Sequence, residues 1–204
     1  MNRSRFIRAH GNIFTYVMSA TKPSPESVLI SESCLQYRIR ELGTQILTDY
    51  ENKELVLLGV LRGSVLFFAD LARAIFKAQD ESQTREVALR FEFVQLMSYH
   101  DSTRPSTVKL IGGGSNYLTE RHVLIVEDIV DTGRTLTFLC EHLQTLNPKT
   151  VKVCTLLDKP SQRQVPIAVD YIGFEIPDTF VVGYGLDYAQ QYRNLPYIAV
   201  LEPI

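Results

Sequence analysis

The sequence predicts an α/β fold, a twisted and mainly parallel sheet with helices on both faces. Two observations carry that expectation. Residues 55–61, 122–127 and 151–157 form short, nearly continuous apolar runs, the pattern of strands buried on both sides. Between them stand segments in which leucine and isoleucine recur at spacings of three and four, the pattern of amphipathic helices. Strands alternating with helices imply a parallel sheet, because each parallel connection needs a crossover long enough to hold a helix.

Residues 1–27 read as irregular, with Lys22-Pro23-Ser24-Pro25 marking an extended segment. Ser31 is the expected cap of a first helix, whose Leu35, Ile39, Leu42 and Ile46 form one apolar stripe. The strand at 55–61 runs directly into a second helix, with Leu66, Leu71, Ile75 and Phe76 expected on its apolar side. Residues 80–86 are polar and read as a loop. Residues 87–96 are rich in β-formers and read as a strand, and residues 98–107 have the composition of a mobile loop. Gly112-Gly113-Gly114 reads as a turn, since it lacks both the GxGxxG spacing and the following helix of a nucleotide-binding loop. After the strand at 122–127, a helix over 135–145 carries Leu136, Leu139, Leu143 and Leu146 on one stripe, and Asn147-Pro148 ends it. Strands at 151–157, 169–174 and 179–183 complete the set. No internal repeat or low-complexity segment interrupts the pattern.

Composition bounds the function classes. A chain of 204 residues, 45% hydrophobic and 22% charged, is expected to form one compact domain with a substantial core. A formal net charge of −2 gives no global attraction to nucleic acid or to an anionic membrane, so any anion site is built locally. The three cysteines, Cys34, Cys140 and Cys154, are widely spaced and odd in number. They support neither a disulfide framework nor a zinc site, and a reduced, cytoplasmic protein is expected. The N-terminal segment carries Arg3, Arg5 and Arg8 but no long apolar run, so it does not read as a signal peptide. No stretch approaches the ~20 apolar residues of a membrane span.

The chemistry concentrates in Val123-Leu-Ile-Val-Glu-Asp-Ile-Val-Asp-Thr-Gly-Arg-Thr-Leu136. A buried strand ends in two adjacent carboxylates, Glu127 and Asp128. A third, Asp131, opens a turn of Thr132, Gly133, Arg134 and Thr135, and a helix follows at once. Open α/β folds bind ligands at such strand-to-helix turns. Backbone N–H groups at a helix N-terminus cradle a phosphate without a positive surface. Gly133 lets the backbone approach closely, and Thr132 and Thr135 add hydroxyl donors. Carboxylates beside a phosphate site make sense where they hold sugar hydroxyls or a hard cation such as Mg²⁺. A lone Asp-Thr-Gly is ordinarily just an acidic cap on a βα loop; the whole run is more specific.

This run resembles the phosphoribosyl pyrophosphate (PRPP) signature of the type I phosphoribosyltransferases. The resemblance implies ribose contacts for Glu127 and Asp128, and 5′-phosphate contacts for the turn from Asp131 through Thr132, Gly133 and Arg134 to Thr135. Leu61-Arg62-Gly63 follows a buried strand as the family's pyrophosphate loop does, a loop that often carries a non-proline cis peptide; relatives often have Lys where this chain has Arg62. Leu157-Asp158-Lys159-Pro160 is similar to the purine-binding lysine segment of the 6-oxopurine branch, the hypoxanthine-guanine phosphoribosyltransferases. There Lys159 would donate to the exocyclic O6. Residues 177–188 resemble the base-binding strand of that branch, with Phe180 stacking on the purine, the Val181 backbone reading its edge, and Asp187 near Mg²⁺ and pyrophosphate. Arg193 would contact pyrophosphate, and Ser98 and Tyr99 would open a lid over it. Relatives tend to carry Ser-Thr-Gly within that lid, where this chain has Arg104-Pro105-Ser106.

The resemblance spans about residues 28–202. It implies a core over about 28–157 and a small hood lobe from parts of 1–27 and 158–204. It also implies transfer of the phosphoribosyl group of PRPP to N9 of hypoxanthine or guanine. Mg²⁺ would be the cofactor, held by Glu127, Asp128 and Asp187. Asp131 is implied as the general base for the purine N7 proton. Partners are expected to be small molecules only, neither nucleic acid nor membrane, with a homodimer or homotetramer as the assembly. Two other classes fit less well. A PRPP-binding transcriptional regulator would not need Lys159, Phe180 and Asp187, and a dinucleotide dehydrogenase would carry its glycine fingerprint.

Overall fold

The computed structural model describes residues 6–9, 12–15, 27–99, 107–112 and 117–201. Among them a six-stranded sheet runs in the order β6-β5-β4-β7-β8-β9. Its strands are β4 (Lys53–Leu61), β5 (Val87–Tyr99), β6 (Thr107–Gly112), β7 (His122–Val130), β8 (Thr150–Asp158) and β9 (Tyr171–Glu175). All neighbours pair in parallel except β5 and β6, which are antiparallel. Helix α1 (Glu32–Asp49) precedes β4, α2 (Val65–Ser82) joins β4 to β5, and α3 (Arg134–Gln144) joins β7 to β8.

The alternation of side chains along each strand builds two cores. Leu55 and Leu57 of β4 and Leu124 and Val126 of β7 face α1 and α2, where they meet Leu35, Ile39, Leu42 and Ile46. Val56, Leu58, Val123 and Ile125 point the other way, toward Leu136, Leu139 and Leu143 of α3. A strand buried on both faces has no polar side, which is why these runs are continuous in the sequence. Truncating one of their leucines, such as Leu57, costs about 2–5 kcal/mol. Ser31 caps α1 by accepting from the Cys34 N–H at 3.3 Å. Ser64 ahead of α2 does not cap; its buried hydroxyl donates to the Val60 carbonyl at 2.6 Å.

Several expectations are corrected. Residues 1–27 are not wholly irregular: β1 (Phe6–Ala9) and β2 (Asn12–Thr15) pair with each other. A further strand, β3 (Ser27–Ile30), pairs with β11 (Ile198–Val200), which in turn pairs with β10 (Val181–Val182). This small second sheet joins the segment ahead of α1 to the C-terminal strands. The loop expected at 80–86 begins as the last turn of α2, which Gln83 closes in a left-handed conformation. The strand expected at 87–96 extends to Tyr99 because β6 pairs with it along that length. Leu71 and Ile75 are buried as expected, but Leu66 and Phe76 are exposed, at 38% and 64%, because α2 buries Phe67, Phe68 and Ala72 in their place. The last strand shrinks to two residues because Gly183 turns the chain at a φ of 102°.

Connections from β4 and β7 lead in opposite directions across the sheet, to β5 and to β8. Their carboxyl ends therefore part, opening the crevice where open α/β sheets bind ligands.

Candidate active site

The crevice holds a cavity of about 240 Å³ lined by Leu61, Glu127, Asp131, Thr132, Gly133 and Thr135, among others. Strand β7 continues through both carboxylates to Val130, so Glu127 and Asp128 sit within the strand rather than at its end. Glu127 lines the cavity. Burial, with Asp128 beside it, pushes its carboxyl well above the usual carboxylate range. Asp128 points elsewhere: a Cβ built on Gly63 would collide with its carboxylate, so that loop lies directly against it. Asp131 is exposed, and its carboxylate has no hydrogen-bond or ion-pair partner among the described residues.

Gly133 is the residue before α3 and has a φ of 83°, a conformation in which other residues are strained. The turn it makes leaves the first N–H groups of α3 without intrahelical acceptors, beside the cavity. Arg134 and Thr135 are exposed at this helix start. The peptide bond between Leu61 and Arg62 is cis, and the Arg62 side chain is exposed. Ser98 and Tyr99 lie in β5, paired with Val108 and Thr107 of β6. The rest of the expected lid, residues 100–106, lies outside the described residues.

The purine-side residues come from the next strands. Val130 and Asp158 are register partners on β7 and β8, and the Lys159 N–H donates to the Val130 carbonyl at 2.9 Å. Lys159 thus stands directly beside the Asp131 turn. It is only 7% exposed, and its ammonium lies 3.7 Å from the Asp178 carboxylate. The Phe180 ring is 50% exposed and meets Tyr188 edge to face at 5.9 Å between centroids. Val181 is buried in the small sheet opposite Val200. Asp187 and Arg193 form an ion pair at 2.6 Å, Arg193 also donates to the Gly185 carbonyl at 2.6 Å, and Asp187 accepts from the Gln190 N–H at 2.8 Å. Gly185, at a φ of 103°, lies so close to the Gly63 carbonyl that a side chain there would strike it. The C-terminal loop therefore rests on the Arg62-Gly63 loop, which rests on Asp128.

Among the described residues no three His, Cys, Asp or Glu side chains converge into a metal cage. Glu127 and Asp128 nevertheless suit Mg²⁺, which ordinarily takes one or two carboxylates and completes its shell with water and substrate oxygens. Asp187 is not free in the same way, since Arg193 occupies its carboxylate.

Sequence reasoning assigned no role to Asp178, Arg163 or the Tyr184–Asp70 contact. Tyr184 donates to Asp70, which also accepts from Gln36 at 3.1 Å and pairs with Arg73. Burial opposes ionisation of Asp70, yet these hydrogen bonds hold its carboxyl below the ordinary range. None of these residues belongs to a periodic pattern, and no spacing signal marks them.

A glycine-turned helix start beside paired carboxylates, at the switch point of a parallel sheet, agrees with the phosphoribosyltransferase class, which the comparisons with known proteins establish. The phosphoribosyl transferase domain model matches residues 33–189. The hypoxanthine-guanine phosphoribosyltransferase of Bacillus subtilis is 44% identical over 179 residues, 87% of this chain and 94% of that protein. The Mycobacterium tuberculosis protein of the same name is 44% identical over 185 residues, 87% of each. Among solved structures, a hypoxanthine-guanine phosphoribosyltransferase of Bacillus anthracis with HEPES in its active site superposes with a TM-score of 0.77 at 40% identity, covering 89% of this chain and all of that one. The ternary substrates complex of a lysine-to-arginine mutant of the Trypanosoma cruzi hypoxanthine phosphoribosyltransferase gives 0.77 at 39% identity, covering 88% and 96%. The chain belongs to the hypoxanthine-guanine phosphoribosyltransferase family.

Proposed function

We propose that this enzyme transfers the 5-phosphoribosyl group of PRPP to N9 of hypoxanthine or guanine, yielding IMP or GMP and pyrophosphate, with Mg²⁺ as cofactor. One observation carries the reading. A backbone hydrogen bond from Lys159 to Val130 holds Lys159 beside Asp131, and Asp131 lines the same cavity as Glu127.

The N–H groups from Thr132 to Thr135 receive the 5′-phosphate, aided by the hydroxyls of Thr132 and Thr135 and by the exposed Arg134. Glu127 and Asp128 take the ribose hydroxyls and the Mg²⁺, with Asp187 as a third candidate ligand through the oxygen that Arg193 now occupies. When bound, Mg²⁺ neutralises charge on the departing pyrophosphate. The backbone of Leu61, Arg62 and Gly63, with Arg193, Ser98 and Tyr99, faces that leaving group. Phe180 offers its exposed ring as a platform for the flat base, and the Val181 backbone reads the base edge. The Lys159 ammonium donates to O6. Adenine presents an amino donor there, and two opposed donors leave both unpaired, a cost of about 1–3 kcal/mol. Asp131, exposed and unpaired among the described residues, accepts the N7 proton as N9 attacks. Positioning the two substrates does much of the rest.

Steady-state kinetics with PRPP and Mg²⁺ test this reading. Hypoxanthine and guanine should turn over, with kcat/KM for adenine lower by about tenfold or more. Equal use of adenine sinks the role given to Lys159, and no turnover of either 6-oxopurine sinks the function.

The three cysteines among the described residues are free, which suits a cytoplasmic protein. No helix among the described residues is long and apolar enough to cross a membrane. A homodimer or homotetramer is supported by an apolar hollow of about 550 Å³ between α2 and β5, lined by Val65, Phe76, Phe91 and Phe93. Sedimentation velocity checks this: a monomer at micromolar concentration contradicts it.

A further inference from the structure

The turn that carries Asp131 is held from outside, by a segment that follows Lys159. The N–H groups of Gln164 and Val165 both donate to the Thr132 carbonyl, at 3.0 and 3.1 Å. Arg163 does more. Its Nη1 donates to the Asp131 carbonyl at 2.6 Å, and its Nη2 pairs with the carboxylate of Asp158. Asp158 is 5% exposed and ends β8, immediately before Lys159 and in register with Val130. Gly133 makes room for the approach: a Cβ there would stand 2.7 Å from the Val165 carbonyl and 3.0 Å from Arg163 Cδ. One guanidinium therefore touches both the turn bearing Asp131 and the strand end bearing Lys159.

We propose that Arg163 is a positioning residue for the transfer reaction, its planar fork fixing the Asp131 turn against the Asp158–Lys159 strand end so that the Asp131 carboxylate meets the purine in one geometry. The proposal rests on the reading of Asp131 as general base. Two acceptors in fixed directions suit a guanidinium, which presents several donors in one rigid plane. An ammonium is a single point charge and does not span both. With side chains only 16% and 7% exposed, the Arg163–Asp158 pair is little screened by water. Arg163 meets Asp131 through its backbone, leaving the carboxylate free to face the base. A shift of about 1 Å in a reacting group costs up to about 10²-fold in rate, so a loosened turn is felt in kcat.

The test measures kcat and both KM values, with a thermal melt, for Arg163→Met and Arg163→Lys. Each is made in the wild-type enzyme and in an Asp131→Asn background. In the wild-type background both substitutions should lower kcat about tenfold or more, with KM for hypoxanthine changed by less than about twofold. In the Asp131→Asn background the same substitutions should change kcat by less than about twofold, since the group they position is gone. A merely structural role predicts equal losses in both backgrounds, and that result overturns the proposal, as does wild-type kcat in a folded Arg163→Lys enzyme. Should Arg163→Met not fold, the lysine variant, which keeps a cation near Asp158, decides alone. A wild-type enzyme that does not turn over 6-oxopurines overturns the reading of the site and the role of Arg163 with it. An active wild type indifferent to residue 163 overturns only the role.

Discussion

The two halves of the site are built from different material. The proposed phosphate half is one unbroken stretch, from Glu127 to Thr135, and its donors are mostly backbone N–H groups fixed by the fold. The proposed purine half is assembled from Lys159, Phe180 and Val181, and its main contacts are side chains. Its one charge already has a partner, Lys159 with Asp178, as Asp187 has with Arg193 in the neighbouring loop. A backbone site is indifferent to most side chains but intolerant of backbone change. A side-chain site is the reverse, and its ion pairs must be exchanged for substrate contacts. Asp131 belongs to the first stretch yet is the proposed base for the purine, and so joins the two halves.

That contrast can be broken by substitution, the largest effect first. Asp131→Asn keeps the turn and removes the base, so kcat should fall by about 10²-fold or more while KM for PRPP barely moves. Near-normal turnover in the folded variant removes Asp131 from that role. Gly133→Val attacks the backbone half alone. The left-handed φ of 83° and the crowding from the Val165 carbonyl both oppose a side chain. KM for PRPP should rise by about tenfold or more, with KM for hypoxanthine little changed. Equal rises for both substrates show that the halves are not separable in this way.

The smallest effect is on stability. Burial and the Asp128 neighbour raise the Glu127 carboxyl pKa in the folded state. The folded protein therefore holds that proton more tightly than the unfolded chain does. The stability this contributes is full below the unfolded carboxylate pKa and is lost as pH rises through the raised, folded value. Glu127→Gln mimics the protonated form, so it should raise Tm, and by more near neutral pH than at pH about 4, while weakening PRPP binding. A Tm gain that is the same at both pH values contradicts the assignment.

The legibility of the sequence follows the same division. The β7–α3 stretch could be read because a continuous apolar strand, two carboxylates and a glycine turn are adjacent in the chain. The three central parallel strands were readable for the same reason, being apolar on both faces. Strand β6 was not, since its pairing with β5 is a long-range antiparallel contact at the edge of the sheet. Helix α2 misled because Leu66 and Phe76 extend its apolar character beyond the face that the core covers. Arg163 and Asp178 are single charges in polar segments, and only the fold brings them to Asp131 and Lys159.

The most direct measurement is a crystal structure with IMP or GMP bound. The 5′-phosphate is expected within hydrogen-bonding distance of the N–H groups of Thr132 to Thr135, the base against the Phe180 ring, and O6 at the Lys159 ammonium. A nucleotide whose phosphate lies away from that turn, or whose base leaves Phe180 uncovered, contradicts that expectation.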